Sequence, residues 1–442
     1  MIGRGMSTML RLFSLVCLPT FLMACPPSQD SAEPAPPAVP DGLDGSPYIA
    51  SFQPWYLVGN ALTPGGDILA LTVDAPQGAE GIELWIDGHH QGAWPAATSQ
   101  LIDADLSGLE AGEHELVLAA TGEDQAFAQI YLQRSHPLYV LVTNDWDRSY
   151  KEESWLERQE ELHANHPAMK MTHFVGPYTF TDPEVSGQHA ADLVAWVTGM
   201  AADFDDEIGL HVHPYCNFVE TTSVPCRHEP SFGYVADETG YTVELCSYSL
   251  EESEILFAQA KALFETNGLG TPTSFRAGGW TAQIHTLEAL ANQGFLVDTS
   301  AANWARLEEW EGLTDAGLYE WNQDNWSTID DTSQPYYPSQ DDILSSEAPV
   351  LSILELPDNG ALVDYVDAYE IIEMFEANWP GGAPLLQPTT YVTGYHPVSY
   401  DFINSVALEG GLNHIEQYLA SDGTGPVVYE TVSNMTVVWP MP

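Results

Sequence analysis

Several short stretches of this chain put groups capable of acid–base or metal chemistry directly after apolar runs. His211 and His213 stand two apart in His211-Val212-His213-Pro214. In an extended segment that spacing turns both imidazoles to one face, ready to hold one cation. Asp145 and Asp147, in Thr143-Asn144-Asp145-Trp146-Asp147, share a face for the same reason. Two carboxylates can then divide the work of ligand and base. Neutral imidazole with carboxylate suits a divalent metal such as zinc, and a three-ligand set leaves room for water and substrate. Further along come Arg276 before Ala277-Gly278-Gly279-Trp280, Asp298 after Phe295-Leu296-Val297, and His396 in Gly394-Tyr395-His396-Pro397. Taken singly, His-x-His and Asp-x-Asp are common in bland surface or core positions; their order along the chain is what gives them weight.

Such residues need a scaffold. From Pro137 onward, short apolar strands such as Tyr139–Val142 and Met171–Val175 alternate with helical stretches at Trp155–His163, Ala190–Met200, Leu250–Thr266, Gln283–Gln293 and Ala368–Asn378. This alternation predicts parallel strands with crossover helices. A stretch of this length fits one α/β domain of barrel type over residues 137–442, in which reactive residues sit at the carboxyl ends of strands. Residues 47–135 instead alternate over Ile68–Val73, Ile82–Ile86, His114–Leu118 and Ala126–Leu132, with turn signals at Pro64-Gly65-Gly66 and Asp87-Gly88. They predict a small antiparallel β-sandwich and resemble a bacterial immunoglobulin-like module. Aromatic residues crowd the stretch from Asn303 to Pro338, Trp304, Trp310 and Trp326 among them. They read either as a glycan-binding surface or as the packing of a long loop.

Over roughly Pro137 to Trp439 the order of motifs resembles the polysaccharide deacetylase superfamily, of carbohydrate esterase type, as a divergent branch. An aspartate motif, a histidine motif after Glu207-Ile208-Gly209, an arginine motif, an aspartate motif and a final histidine follow one another, and Thr172-His173-Phe174-Val175 stands where the family's second strand runs. The resemblance implies a distorted (β/α) barrel and a metal-dependent hydrolase that removes N-acetyl groups from a polysaccharide. It implies Asp145 as base, Asp147, His211 and His213 as metal ligands, and Arg276 as the group orienting the base. His396 becomes the general acid, with Asp298 holding that histidine or a neighbouring strand. Trp146 separates aspartates that are adjacent in the family, which leaves the roles of Asp145 and Asp147 exchangeable. The histidines are two apart where the family has four, and Arg276 lacks the usual proline-containing turn. These departures also suit a second reading, a non-catalytic glycan-binding or adhesion lipoprotein on a degenerate barrel. Glu355 reads as a substrate contact or a structural acid, and His163, His166 and His173 as surface or core histidines.

Arg4 and Arg11 precede an apolar run, Leu12 to Ala24, that is too short to span a bilayer, so residues 1–24 read as a signal peptide. Leu22-Met23-Ala24-Cys25 resembles a lipobox. The resemblance implies lipidation at Cys25 and anchoring to a bacterial membrane on its extracytoplasmic side, at the outer membrane or cell surface. Residues 25–46, rich in Pro, Ala and acidic groups, read as a disordered tether. With 64 acidic against 11 basic residues the formal net charge is −53. That charge excludes nucleic acid and anionic lipid as partners but not a neutral or amino-bearing glycan, and salt would screen it. With Cys17 removed and Cys25 lipidated, Cys216, Cys226 and Cys246 remain. They imply one disulfide, its pair left open, in an oxidising compartment, with one thiol over.

Overall fold

The computed structural model describes residues 34–43, 46–147, 153–312 and 317–442. The segment expected to be a signal peptide, Cys25 and most of the expected tether lie outside the described residues. Residues 36–442 group as one unit.

The N-terminal part is all-β. Strands β1 (Ile49–Phe52), β3 (Ile68–Val73) and β6 (Gln100–Asp105) form one sheet in the order β1-β3-β6. The second sheet runs β2 (Trp55–Leu57), β8 (Ala126–Ser135), β7 (Gly112–Ala120), β4 (Gly81–Ile86), β5 (His89–Pro95). In β3 the alternate residues Leu69, Leu71 and Val73 are buried, while Ile68 faces solvent. They meet Leu84, Leu116, Leu118 and Leu132 of the other sheet in a shared core, as the two-residue period of a half-buried strand requires. The sandwich is not wholly antiparallel: β2 pairs in parallel with β8, Tyr56 opposite Arg134. Pro54, with no N–H to continue a ladder, marks where the chain leaves the first sheet for the second. The end of the expected tether is bound. Ala38 donates its N–H to Asp124 O at 2.9 Å, and Val39 and Leu43 pack beside Trp85 and Val117. Those two apolar residues were masked by the polar average of the segment around them.

The remainder is built on eight parallel strands: β9 (Leu138–Asp145), β10 (Met171–Val175), β11 (Glu207–Val212), β12 (Ser274–Ala277), β13 (Val297–Asp298), β14 (Leu354–Glu355), β15 (Thr389–Tyr395) and β16 (Val427–Tyr429). Their order is β14-β13-β12-β11-β10-β9-β15, with β16 pairing the amino end of β9. Every residue of β9 and β15 is buried, the signature of a sheet covered on both faces. The sheet curls into a half-barrel. Toward β15 the chain after β14 takes the place of a strand without regular pairing: Gly360 donates to Val392 O at 2.8 Å and Val363 to Gly394 O at 2.9 Å. Helices Gly187–Phe204, Leu250–Asn267 and Ala368–Asn378 pack outside it. The second begins with a reciprocal cap between Ser249 and Glu252 and ends at left-handed Gly268, so its limits are set by local chemistry. Among the described residues no helix is long and apolar enough to cross a membrane.

Candidate active site

The carboxyl ends of β9 and β11 and the residue after β15 bring Asp145, Asp147, His211, His213 and His396 to one cavity, with Arg276 of β12 fully buried against Asp145. The chain beyond β9 stays extended because Trp146 donates its N–H to Phe174 O at 2.9 Å. Asn144 and Trp146 therefore face outward, joined by a 3.0 Å bond from Trp146 Nε1 to Asn144 Oδ1, and Asp145 and Asp147 face inward.

Asp147 Oδ1 lies 3.1 Å from His211 Nε2 and 3.2 Å from His213 Nε2. Each ring's other nitrogen meets a backbone carbonyl: His211 Nδ1 is 3.0 Å from Arg276 O, and His213 Nδ1 is 2.7 Å from Tyr241 O. A carbonyl only accepts, so each Nδ1 carries the hydrogen and each Nε2 keeps its lone pair. Two lone pairs and a carboxylate oxygen thus point at one another, an arrangement that a cation unites and a neutral core would avoid. The donor set, two imidazole nitrogens and one carboxylate oxygen, fits a divalent ion, and all three residues are buried. Burial alone would raise the Asp147 carboxyl, but the charge of the neighbouring His396 holds it well below the usual carboxylate range. A second potential set, Cys216, Cys226 and His228, is excluded by a Cys216–Cys226 disulfide. Among the described residues Cys246 is the remaining thiol, pushed up to about 12 by burial and Glu244.

Asp145, 2 % exposed, stands apart from the imidazoles and meets Arg276 Nη1 at 3.1 Å. The guanidinium is fixed on every side. Nη1 also donates to Thr143 Oγ1 at 2.9 Å, Nε donates to Thr299 O at 3.1 Å, and Nη2 is 3.5 Å from Asp358. Burial opposes its charge, yet Asp145 and Asp358 hold it protonated.

His396 follows β15, with Nε2 3.7 Å from Asp147 Oδ2. Its Nδ1 is 2.9 Å from Asp364 Oδ2, which also accepts the His396 backbone N–H at 3.0 Å. Burial would lower the imidazole, but Asp147, Asp364 and Asp145 together push it up to about 10.

Asp298, expected to hold either His396 or a neighbouring strand, does not touch His396 and holds the strand. It accepts from Ser300 Oγ at 2.8 Å, while Ser300 Oγ takes the Ala277 N–H at 2.9 Å. Asp298 thus ties the end of β13 to the end of β12. It lies in register with Phe275, not Arg276, and the two-residue period puts it on the opposite face from the arginine. Burial lifts its carboxyl to about 6 beside Glu355. Glu355 accepts the Ala301 N–H at 2.9 Å and is raised well above the usual range by burial and Asp298; it is a structural acid. Asp364 escaped the sequence reading, although it too follows an apolar run, Ala361-Leu362-Val363. Of the aromatic stretch, Trp326 is buried, and Trp310 reaches the cavity together with Phe232, Tyr241, Trp280 and Tyr365. His163 and His173 are buried core residues.

No protein-family model matches the chain, and no curated protein matches it. Solved structures similar to it include proteins of the superfamily the motifs resemble. One, assigned as a polysaccharide deacetylase from Mycobacterium smegmatis, has 15 % identity and a TM-score of 0.39 over 68 % of this chain and 89 % of that one. A family 4 carbohydrate esterase from Streptomyces lividans, solved with acetate, has 11 % identity and a TM-score of 0.33 over 68 % and 94 %. A pseudoenzyme of the same esterase family from Bacillus anthracis has 10 % identity and a TM-score of 0.28 over 66 % and 63 %. At these values the likeness carries no residue role across.

Proposed function

We propose that the protein is a metal-dependent hydrolase that removes N-acetyl groups from an extracytoplasmic glycan, with zinc as its ion. The observation that carries this reading is the division of three duties within one cavity. Asp147 shares its oxygen with the two imidazoles, Asp145 stands apart on Arg276, and His396 stands on Asp364. A divalent ion, held by Asp147, His211 and His213, would polarise an acyl carbonyl and lower the pKa of water to about 7. Asp145, oriented by the guanidinium, takes the proton of the attacking water. His396 delivers its Nε2 proton to the amide nitrogen as the C–N bond breaks, releasing acetate and a free amine. The aromatic walls at Trp310, Phe232 and Tyr365 suit the apolar face of a sugar ring. The disulfide supports the export reading, with Cys25 as the proposed anchor to the membrane.

The test is metal content together with acetate release from N-acetylglucosamine oligomers, for the purified chain and for His213→Ala. The expected result is near-stoichiometric divalent metal and measurable acetate, both lost in the variant. Metal without acetate would redirect the reading to another acyl substrate. Absence of both would favour the non-catalytic glycan-binding alternative.

A further inference from the structure

One side chain outside the predicted set touches the cation ligands in three ways. The Tyr241 hydroxyl donates to Asp147 Oδ2 at 2.6 Å. Its backbone carbonyl is the group that takes His213 Nδ1 at 2.7 Å. Its ring stacks on the His213 ring, with centroids 4.3 Å apart and planes 29° from parallel.

The chain is built to bring Tyr241 there. Immediately after His213, Cys216 donates its N–H to Thr239 O at 2.8 Å, which clamps the turn before Tyr241 onto the segment after the histidines. Gly240 has φ +82°, and a Cβ there would lie 2.4 Å from Pro214 O. Glycine is therefore required on both conformational and steric grounds. Asp237 braces the turn from the other side, accepting the N–H groups of Thr239 at 2.8 Å and Thr242 at 2.6 Å. The Cys216–Cys226 disulfide fixes the start of the same loop.

We propose that Tyr241 is a positioning residue of the cation site: by pinning Asp147 Oδ2, its phenol leaves Oδ1 alone to face the ion, and through its carbonyl and ring it sets the tautomer and plane of His213. This rests on the metal reading above. A carboxylate restricted to one oxygen occupies one coordination position instead of two and keeps the others free for water and the acyl oxygen. Loss of an outer partner of this kind typically weakens metal affinity or activity about 10–100-fold.

The experiment uses the full chain, stripped of metal and titrated with Co²⁺ and with Zn²⁺, as wild type and as Tyr241→Phe. The substitution removes only the hydroxyl and keeps the stacked ring and the carbonyl. We expect the variant to bind about tenfold or more weakly. We also expect its visible Co²⁺ spectrum, read at saturating cobalt, to change as the freed carboxylate oxygen approaches the ion. Because the spectrum is read on loaded protein, it remains informative if the metal-free variant is less stable. A weakening beyond about threefold, or an altered spectrum, supports the assignment; affinity within threefold together with an unchanged spectrum overturns it. A wild-type chain that takes up neither ion overturns the metal reading and this assignment together, whereas the Tyr241→Phe result alone bears only on the tyrosine.

Discussion

Among the described residues are two buried groups of one aspartate and two histidines, and they lie on opposite faces of the same sheet. Inside, Asp147 meets His211 and His213. Outside, between sheet and helices, Asp206 Oδ2 meets His163 Nε2 at 2.8 Å and His173 Nε2 at 3.0 Å. The composition is identical and the hydrogen positions are opposite. In the outer group, the Asn144 amide nitrogen donates to His173 Nδ1 at 2.9 Å, so the ring's hydrogen sits on Nε2 and points at Asp206. Asp206 Oδ1 takes the Met171 N–H at 2.8 Å. Burial would raise this acid, but bonds from His163 and His173 hold it below the usual range. In that group both carboxylate oxygens of Asp206 are met by donors, although His163 Nδ1 is left without a hydrogen-bond partner among the described residues. In the inner group the hydrogens go to backbone carbonyls, and the lone pairs face the acid. Second contacts, not residue types, separate a structural triad from one whose lone pairs suit a cation.

The sharpest way to break this comparison is to remove charge from each part in turn. Asp145→Asn leaves all three proposed ligands in place, so metal content should stay at the wild-type level while kcat falls by about 10² to 10⁴. Loss of the metal with the activity, measured by elemental analysis, would sink the division between base and ligand. Asp206→Asn should instead cost stability. Its amide nitrogen would face a donor already present, at a cost of about 1–3 kcal/mol of unfolding free energy, with metal uptake unchanged. Denaturant unfolding beside a metal assay separates the two. A chain that keeps its stability but loses the ion would show that the outer group is no mere structural cluster.

The inner group was legible because strand ends are legible: apolar runs mark where β9, β11, β12 and β15 stop, and the period of two assigns Asp145, Asp147, His211 and His213 to one face. At Asp298 the same logic left two roles open, holding His396 or a neighbouring strand, and the register decides against the first. The two-residue strand of Asp298 is offset by one position from Arg276, and an offset of one changes the face. Asp364 was missed because the chain before it lies along β15 without forming a strand of its own. Tyr241 was beyond reach for a different reason. It sits in a loop without periodicity, placed by Gly240, by Asp237 and by a disulfide whose partners the sequence left open. The N-terminal sandwich was readable from alternation, but the parallel pairing of β2 with β8 was not, since strand direction depends on how the chain crosses between sheets.

The smallest expected effect tests how far anions, rather than burial, govern the inner face. Burial disfavours the imidazolium of His396, while Asp147, Asp364 and Asp145 favour it and carry it from 6.5 to about 10. Because the folded value lies above the ordinary one, the stabilisation from this group in the metal-free chain is fully present below about pH 6.5. It is lost as the pH rises through about 10. Asp364→Asn removes one anion and keeps an acceptor beside Nδ1, so the His396 titration midpoint, followed by NMR in the metal-free chain, should move to lower pH. The alkaline loss of stability should begin earlier by the same amount. A bound divalent ion should act in the same direction as the variant by drawing on the charge of Asp147, so metal and Asp364→Asn should be partly redundant in lowering the midpoint. If the variant leaves the midpoint unmoved, Asp364 merely orients the ring, and the charge that keeps His396 protonated comes from the proposed ligand and base.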